Sequence, residues 1–360
     1  MGKMMYPLPK KFKTRREQIL HYIVYSGEVP MDLYEDMNIG QATYKNTLVR
    51  LKEENIIKHN TTNKIRGYSL STNGKRLINT DMNYYKYSNY YVDGSNDIQK
   101  RLRMRNFATI YATLDKAVIP YEPFLKVPLL TLSKSNNRER VCFYNASEYK
   151  KLLGDRSDKI KGSKSYGLLS DGKRYIPVYR TTSELSAFSS TEFEVIVLLN
   201  KLLETKITDT VIFCSSYDVF VKAYNTYLQK DSKEKYELLY YDNYFLIPTR
   251  EHFKLQMWML FKGEQIKEQI KKQYKIYDKI SYVINDGFIE DSPVVFQFVL
   301  NIARLTRFMY YSTRSKNECI IVCWDYMVEY MKQIIPEESN IKILSVKSQE
   351  IERMIEDVVI

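Results

Sequence analysis

The chain is poor in the residues that most often carry chemistry. Its 360 residues include four cysteines, three histidines and two tryptophans. Cys319 and Cys323 form a C-x-x-x-C pair inside an apolar run, ECIIVCW, with no histidine close enough in sequence to complete a zinc set. Buried free thiols follow, and with them a reduced, cytoplasmic compartment. No Gly-x-Ser-x-Gly, no P-loop, no glycine-rich dinucleotide turn and no His-Glu-x-x-His occurs. His21 falls on the inward stripe of the first helix, and His252 sits beside Arg250 and Glu251 as a surface residue would. No apolar run approaches the roughly 20 residues of a membrane span. The start, MGKMMYPLPKKFKTRR, lacks the apolar stretch of a secretory signal. No membrane partner, no metal, no cofactor and no catalytic residue are therefore expected.

What is abundant is positive charge. Lysine and arginine number 55 against 43 aspartate and glutamate, a formal surplus of 12. A surplus of that size suits a polyanion, most often nucleic acid. It is not spread evenly: residues 1–80 hold 14 basic and 7 acidic side chains. Hydrophobic residues at 44% and charged residues at 27% make an ordinary globular composition, long enough for two or three domains. The 32 tyrosines reflect a low-GC coding bias as much as a function.

Residues 1–13 read as a basic arm kept extended by Pro7 and Pro9. Thr14 is a suitable N-cap for a helix over 15–25 that turns Ile19, Tyr22 and Ile23 inward and stops at Gly27. Pro30 would open a short second helix with Leu33 and Met37 facing in. After the tight turn Asn38-Ile39-Gly40 comes QATYKNTLVRLKEE, residues 41–54, with Ala42, Tyr44, Leu48 and Leu51 on one face. Two strands, 56–60 and 67–71, flank a polar loop, 61–66, that carries two cations. A helix, a turn, a second helix bearing cations and amides, and then a strand pair is the layout of a winged helix-turn-helix. In that layout Gln41, Thr43, Lys45, Asn46 and Arg50 are the candidate base contacts. Lys58, Lys64 and Arg66 on the wing are the candidate phosphate contacts, with Lys10, Lys11, Lys13, Arg15 and Arg16 of the arm.

Residues 79–95, NTDMNYYKYSNYYVDGS, follow neither helical nor strand periodicity and read as a linker or as an arm packed across a domain surface. Their tyrosines can stack on bases; packing on protein is the commoner use. A helix over 96–116 opens with Lys100, Arg101, Arg103 and Arg105, a basic half that either touches phosphate or faces solvent. The remainder reads as α/β, with strands at 121–131, 141–144, 166–169, 175–181 and 211–214, and helices at 192–203 and 219–228. The expected domains are a DNA-binding unit over 1–80, a tyrosine-rich linker and basic helix over 81–116, and a first α/β unit over 117–250. A connecting helix, 251–277, with a second α/β unit completes 251–360.

The two α/β units echo each other. SYGLLSDG at 165–172 resembles SYVINDG at 281–287, and each is followed by an apolar helix. TVIFCSSYDVFVKAYNTYL resembles CIIVCWDYMVEYMKQII, which sets Cys214 on Cys323, and YELLYYD resembles IKILSVK. An internal duplication, a pseudo-dimer within one chain, is expected.

The order of elements around Asp171 resembles the core of the restriction-endonuclease-like fold. A winged helix followed by such a core resembles the replication-relaxation and mobilisation accessory proteins of low-GC plasmids and conjugative elements. It also resembles the winged-helix antitoxins of abortive-infection systems. The resemblance spans the chain in layout and rests on no stringent motif. It implies double-stranded DNA as partner, a role in transcription control or in plasmid replication or transfer, and a body that binds a second copy or another protein. Active nucleases of that fold place an acid at the end of one strand and Glu-x-Lys on the next, to hold a divalent metal. Asp171 fits the first position, but residues 175–179 hold no Glu-x-Lys, and Glu192 and Glu194 come too late. Asp286, Glu290 and Asp291 lack the lysine too. Asp171 and Asp286 therefore read as turn residues. The expectation is an α/β chain that binds DNA without cutting it, with a divergent nuclease or a protein-binding winged helix as alternatives.

Overall fold

The structure of the chain, a computed structural model, describes Pro9 and residues 11–81, 91–132, 140–182, 189–229 and 240–356. Helices and sheets are mixed throughout, as in an α/β protein. Two compact units separate between Val118 and Ile119. Among the described residues no helix is long and apolar enough to cross a membrane.

The N-terminal unit starts with α1 (Arg15–Ser26). The Thr14 hydroxyl accepts from the Glu17 amide, and Gly27 ends the helix with φ 86°, a left-handed conformation that favours glycine. Next come β1 (Val29–Pro30), α2 (Leu33–Asp36) and α3 (Gln41–Glu53). Pro30 does not open a helix. It lies in β1, which pairs antiparallel with β3, and α2 is a single turn. The hairpin β2 (Ile57–Thr62) and β3 (Ile65–Leu70) turns over two residues, Asn63 and Lys64, both with positive φ. That is the two-residue loop whose twist matches paired strands. The polar loop is thus shorter than expected, because both strands run to its tip. The sheet order is β1-β3-β2.

α4 (Thr72–Thr80) and α5 (Ile98–Lys116) complete the unit. Residues 91–97 run back across it: the Val92 amide donates to the Val24 carbonyl, and Lys75 pairs with Asp93. Most of the tyrosine-rich stretch, 82–90, lies outside the described residues. α5 is held by buried polar contacts. The Tyr22 hydroxyl donates to Asp115 at 2.8 Å, and Lys11 pairs with the same carboxylate. His21 packs among Phe12, Tyr22 and Tyr25, a core residue as the helical stripe implied.

In the C-terminal unit, residues 121–131 form no strand. Pro120, Pro123 and Pro128 offer no N–H to a ladder, and a short 3-10 turn and α6 (Leu129–Leu132) occupy the segment. The chain continues through β4 (Cys142–Asn145), α7 (Ala146–Leu153), β5 (Gly167–Ser170), β6 (Tyr175–Arg180) and α8 (Ser190–Leu203). Then follow β7 (Asp209–Cys214), α9 (Tyr217–Gln229) and β8 (Asn243–Pro248). The single helix expected over 251–277 is two, α10 (Phe253–Lys262) and α11 (Glu264–Gln273), divided at Gly263. After them come β9 (Gly287–Ile289), β10 (Ser292–Phe296), β11 (Leu300–Asn301), α12 (Ile302–Ser312), β12 (Cys319–Trp324), α13 (Val328–Ile334), β13 (Ile341–Val346) and α14 (Gln349–Met354).

Two mixed sheets result, in the orders β11-β8-β7-β6-β5-β4 and β13-β12-β10-β9. They share one pattern. An antiparallel hairpin, β5-β6 or β9-β10, is followed by a helix, a parallel strand, a helix and a second parallel strand. The ladders fix which residues correspond. The Thr181 amide donates to the Phe213 carbonyl as Gln297 does to Val322, so Cys214 and Cys323 take the same place. The hairpins correct the remainder of the expected alignment. Gly167 faces Val178 as Gly287 faces Val294, so Asp171-Gly172 does not correspond to Asp286-Gly287. YELLYYD falls partly outside the described residues, and the strand that matches IKILSV is β8, NYFLIP. The bridge between Tyr277 and Phe288 occupies the place of the β4–β5 pairing of Tyr144 with Leu168. Tyr217 and Tyr326, each three residues past the matched cysteine, touch with ring centroids 5.7 Å apart. One apolar core runs through both sheets, with Trp324 fully buried and Trp258 packed at its margin.

Candidate nucleic-acid interface

The apolar spacing of α3 decides which way its other residues point. Tyr44, Leu48 and Leu51 are buried, one per turn along one side, while Ala42, expected on that face, is exposed because it lies about 160° around the helix from Tyr44. Burying the last two contributes roughly 2 kcal/mol each. The Tyr44 hydroxyl donates to the Pro30 carbonyl at 2.7 Å, which pins α3 to β1, and burial pushes that hydroxyl well above its usual range. Gln41, Thr43, Lys45, Asn46 and Arg50 are left exposed. Gln41 is the constrained one, its amide donating to the Tyr34 hydroxyl at 3.2 Å.

The hairpin brings more cations to the same unit. Lys58, Lys64 and Arg66 are exposed, as is Lys52 at the end of α3. None of Lys45, Arg50, Lys52, Lys58, Lys64 and Arg66 sits in an ion pair among the described residues. His59 stands on β2, next to Lys58 in sequence. Its pKa is held below the usual imidazole value, first by partial loss of solvent and then by the charges of Lys52 and Arg66.

The arm is different. Lys10 lies outside the described residues. Lys11 is paired with Asp115 and lies over the Phe12 ring, and Arg16 is paired with Glu54 just past α3. Arg15 is half-buried and donates to Gln18 at 2.8 Å. Of the described arm cations only Lys13 is exposed. The structure therefore leaves the α3 and hairpin cations exposed on one unit and turns Lys11 and Arg16 toward carboxylates of that unit.

The anchor of the hairpin is a residue that the sequence placed on a solvated or phosphate-touching face. Arg101 on α5 is fully buried. Its Nε donates to Glu28 at 2.7 Å and its Nη2 to the same carboxylate at 2.9 Å. Nη2 also reaches the carbonyls of Asn60 on β2 and Ile65 on β3, at 3.1 and 3.3 Å. One guanidinium thus ties α5 to both strands of the hairpin. Gly67 makes room for it, since a Cβ there would stand 2.3 Å from a Glu28 carboxylate oxygen. Arg101 stands in sequence among Lys100, Arg103 and Arg105, which gives its burial no local sign.

Asp171, Asp286 and Glu192 of the C-terminal unit are engaged in structure. Asp171 accepts from the amides of Lys173 and Arg174 at 2.9 and 2.8 Å, an Asx turn that closes the β5–β6 hairpin. Asp286 accepts from the Phe296 amide at 2.8 Å and pairs with Arg304 at 3.0 Å. Glu192, in the first turn of α8, is buried and accepts from Ser163, the Lys164 amide and the Tyr179 hydroxyl. Among the described residues no group of three or more His, Cys, Asp and Glu is placed to hold a metal ion.

All four cysteines are free and buried, and burial pushes the thiols of Cys214 and Cys323 up to about 12. The thiolate is the reactive form. At pH 8 the native chain should therefore show no fast-reacting thiol toward an aromatic disulfide reagent, and four after unfolding in guanidinium. Rapid native labelling would contradict the burial. Comparison of the chain with protein-family models, with curated proteins and with solved structures finds no match.

Proposed function

We propose that the chain is a sequence-specific double-stranded DNA-binding protein that recognises and does not cut. In this reading the N-terminal unit is a winged helix-turn-helix. α3 enters the major groove, and the β2–β3 hairpin lies along the backbone as the wing. The observation that carries the reading is the set of unpaired cations on α3 and the hairpin, Lys45, Arg50, Lys58, Lys64 and Arg66, standing beside exposed amide and hydroxyl groups on one unit. Cations left without carboxylates of their own are available for phosphate, and amides can read base edges. Buried anchoring of the hairpin by Arg101 holds that array in place before DNA arrives, which lowers the cost of ordering it on binding.

The C-terminal unit serves as the body that joins a second copy or another protein. The layout resemblance to replication-relaxation and mobilisation accessory proteins supports a place on a mobile genetic element, in transcription control or in plasmid replication or transfer. The buried free thiols suit the reduced cytoplasm. Selection from a random duplex pool tests the reading: the full chain should enrich one short motif, and an unenriched pool would refute sequence-specific binding.

His59 gives the reading a pH signature. In the free protein Lys52 and Arg66 disfavour its charged form. A phosphate docked beside them reverses the local field and raises the imidazole pKa, so binding takes up a proton. Affinity for duplex DNA should rise as pH falls from about 7.5 to 6, and a His59→Gln variant should lose that slope while still binding. An identical slope in the variant would remove His59 from the interface.

A further inference from the structure

The exposed face of α3 is not uniformly basic. At about 100° per residue, the direction opposite Tyr44, Leu48 and Leu51 carries Ala42, Asn46, Val49 and Glu53. Lys45 stands on one flank of that line, and Thr43 and Arg50 stand on the other. The centre of the face is thus an amide between two small apolar side chains, with cations to either side. Glu53 ends the line with a carboxylate, which repels phosphate.

Val49 is the informative residue. It is 48% exposed. A β-branched residue on a solvated helix face is unfavourable twice over, because it loses rotamer freedom in the helix and leaves apolar surface in water. Lysine or glutamate there would suit the isolated unit better. A cost at the centre of the outward face, between Lys45 and Arg50, is explained when that face is covered by something apolar at that point and anionic at its edges. Duplex DNA meets both conditions in the major groove at an A·T pair. The thymine 5-methyl is the one apolar group offered there, and adenine beside it offers an amino donor and a ring-nitrogen acceptor that an asparagine amide matches with two hydrogen bonds.

Resting on the DNA-binding reading, we infer that α3 reads an A·T core. Asn46 takes an adenine and Val49 covers a thymine methyl, while Lys45 and Arg50 hold the phosphates on the two walls of the groove. Val49 is then a specificity-determining residue that no charge-based reading of the helix finds.

The test uses the full chain and the duplex that it enriches from a random pool, with each thymine of the site replaced in turn by deoxyuridine. Loss of one covered methyl should weaken binding roughly fourfold, the worth of one buried methyl group. Val49→Ala should bind the thymine and deoxyuridine duplexes equally well, and Asn46→Ala should lose its preference for the neighbouring adenine. An enriched core of G·C pairs, or no deoxyuridine effect at any position, overturns the inference and leaves DNA binding standing. Failure to bind any duplex overturns both. Val49→Ser, folded by circular dichroism and still sensitive to the same methyl, would also overturn the role given to Val49.

Discussion

Replacing Arg101 by methionine is expected to destabilise the N-terminal unit by about 3–5 kcal/mol, the usual cost of leaving one member of a buried ion pair without its partner. Glu28 would stay buried with its carboxylate uncompensated, and the carbonyls of Asn60 and Ile65 would lose a donor. Urea unfolding of the full chain, followed by circular dichroism, measures the loss. Lys100→Ala, one residue earlier on the same helix and exposed, is the control and should change stability by no more than about 0.5 kcal/mol. The double variant Glu28→Met/Arg101→Met removes both charges and should recover much of the loss, because two apolar side chains need no partner. If Arg101→Met alone unfolds no more readily than the control, the guanidinium is not the anchor of the hairpin. Gly67→Ala tests the same contact from the other side, since its Cβ would press on Glu28 and the Val29 carbonyl.

The second large effect is on binding. Lys45→Ala/Arg50→Ala should weaken duplex affinity on the order of 10²-fold at moderate salt, from two lost charge contacts of about 1–2 kcal/mol each. Neither side chain is part of the core or in an ion pair among the described residues, so the variant should keep the parent's unfolding curve. Unchanged affinity in the folded variant would take α3 out of the interface. Lys11→Ala should behave in the opposite way. Its partner Asp115 also receives the Tyr22 hydroxyl, so stability falls while affinity holds.

How much of this was legible depended on whether the deciding contact was local. Thr14 and Gly27 mark helix ends by their own chemistry, and each performs that role. The period of Tyr44, Leu48 and Leu51 was enough to orient α3, and with it the exposed cations. β1 escaped notice because two residues carry no period and because Pro30 suits a helix start as well as a sheet edge. Arg101 was illegible for a stronger reason. Its partner is 73 residues away, and a lone arginine in a basic stretch gives no sign of burial. The pairing of Arg16 with Glu54, 38 residues apart, was hidden in the same way. In the C-terminal unit, most strands and the Cys214–Cys323 correspondence could be read from apolar runs, but the apolar run over 121–131 misled, because its prolines keep it out of a sheet. The hairpin register could not, because repeated Ser-Tyr and Asp-Gly pairs drew the alignment to residues that ladder geometry does not match.

The central claim is that the cations of α3 and the hairpin neutralise phosphate, and the salt dependence of binding tests it most directly. Fluorescence anisotropy with the full chain and its selected duplex, from about 50 to 300 mM salt, should give a straight line of log affinity against log salt. If Lys45, Arg50, Lys58, Lys64 and Arg66 each displace one counterion, the slope should be about −4 to −5, and removing Lys64 and Arg66 together should flatten it by about 2. A flat line, or a slope unmoved by those substitutions, would contradict the account and turn the exposed face of α3 over to a protein partner.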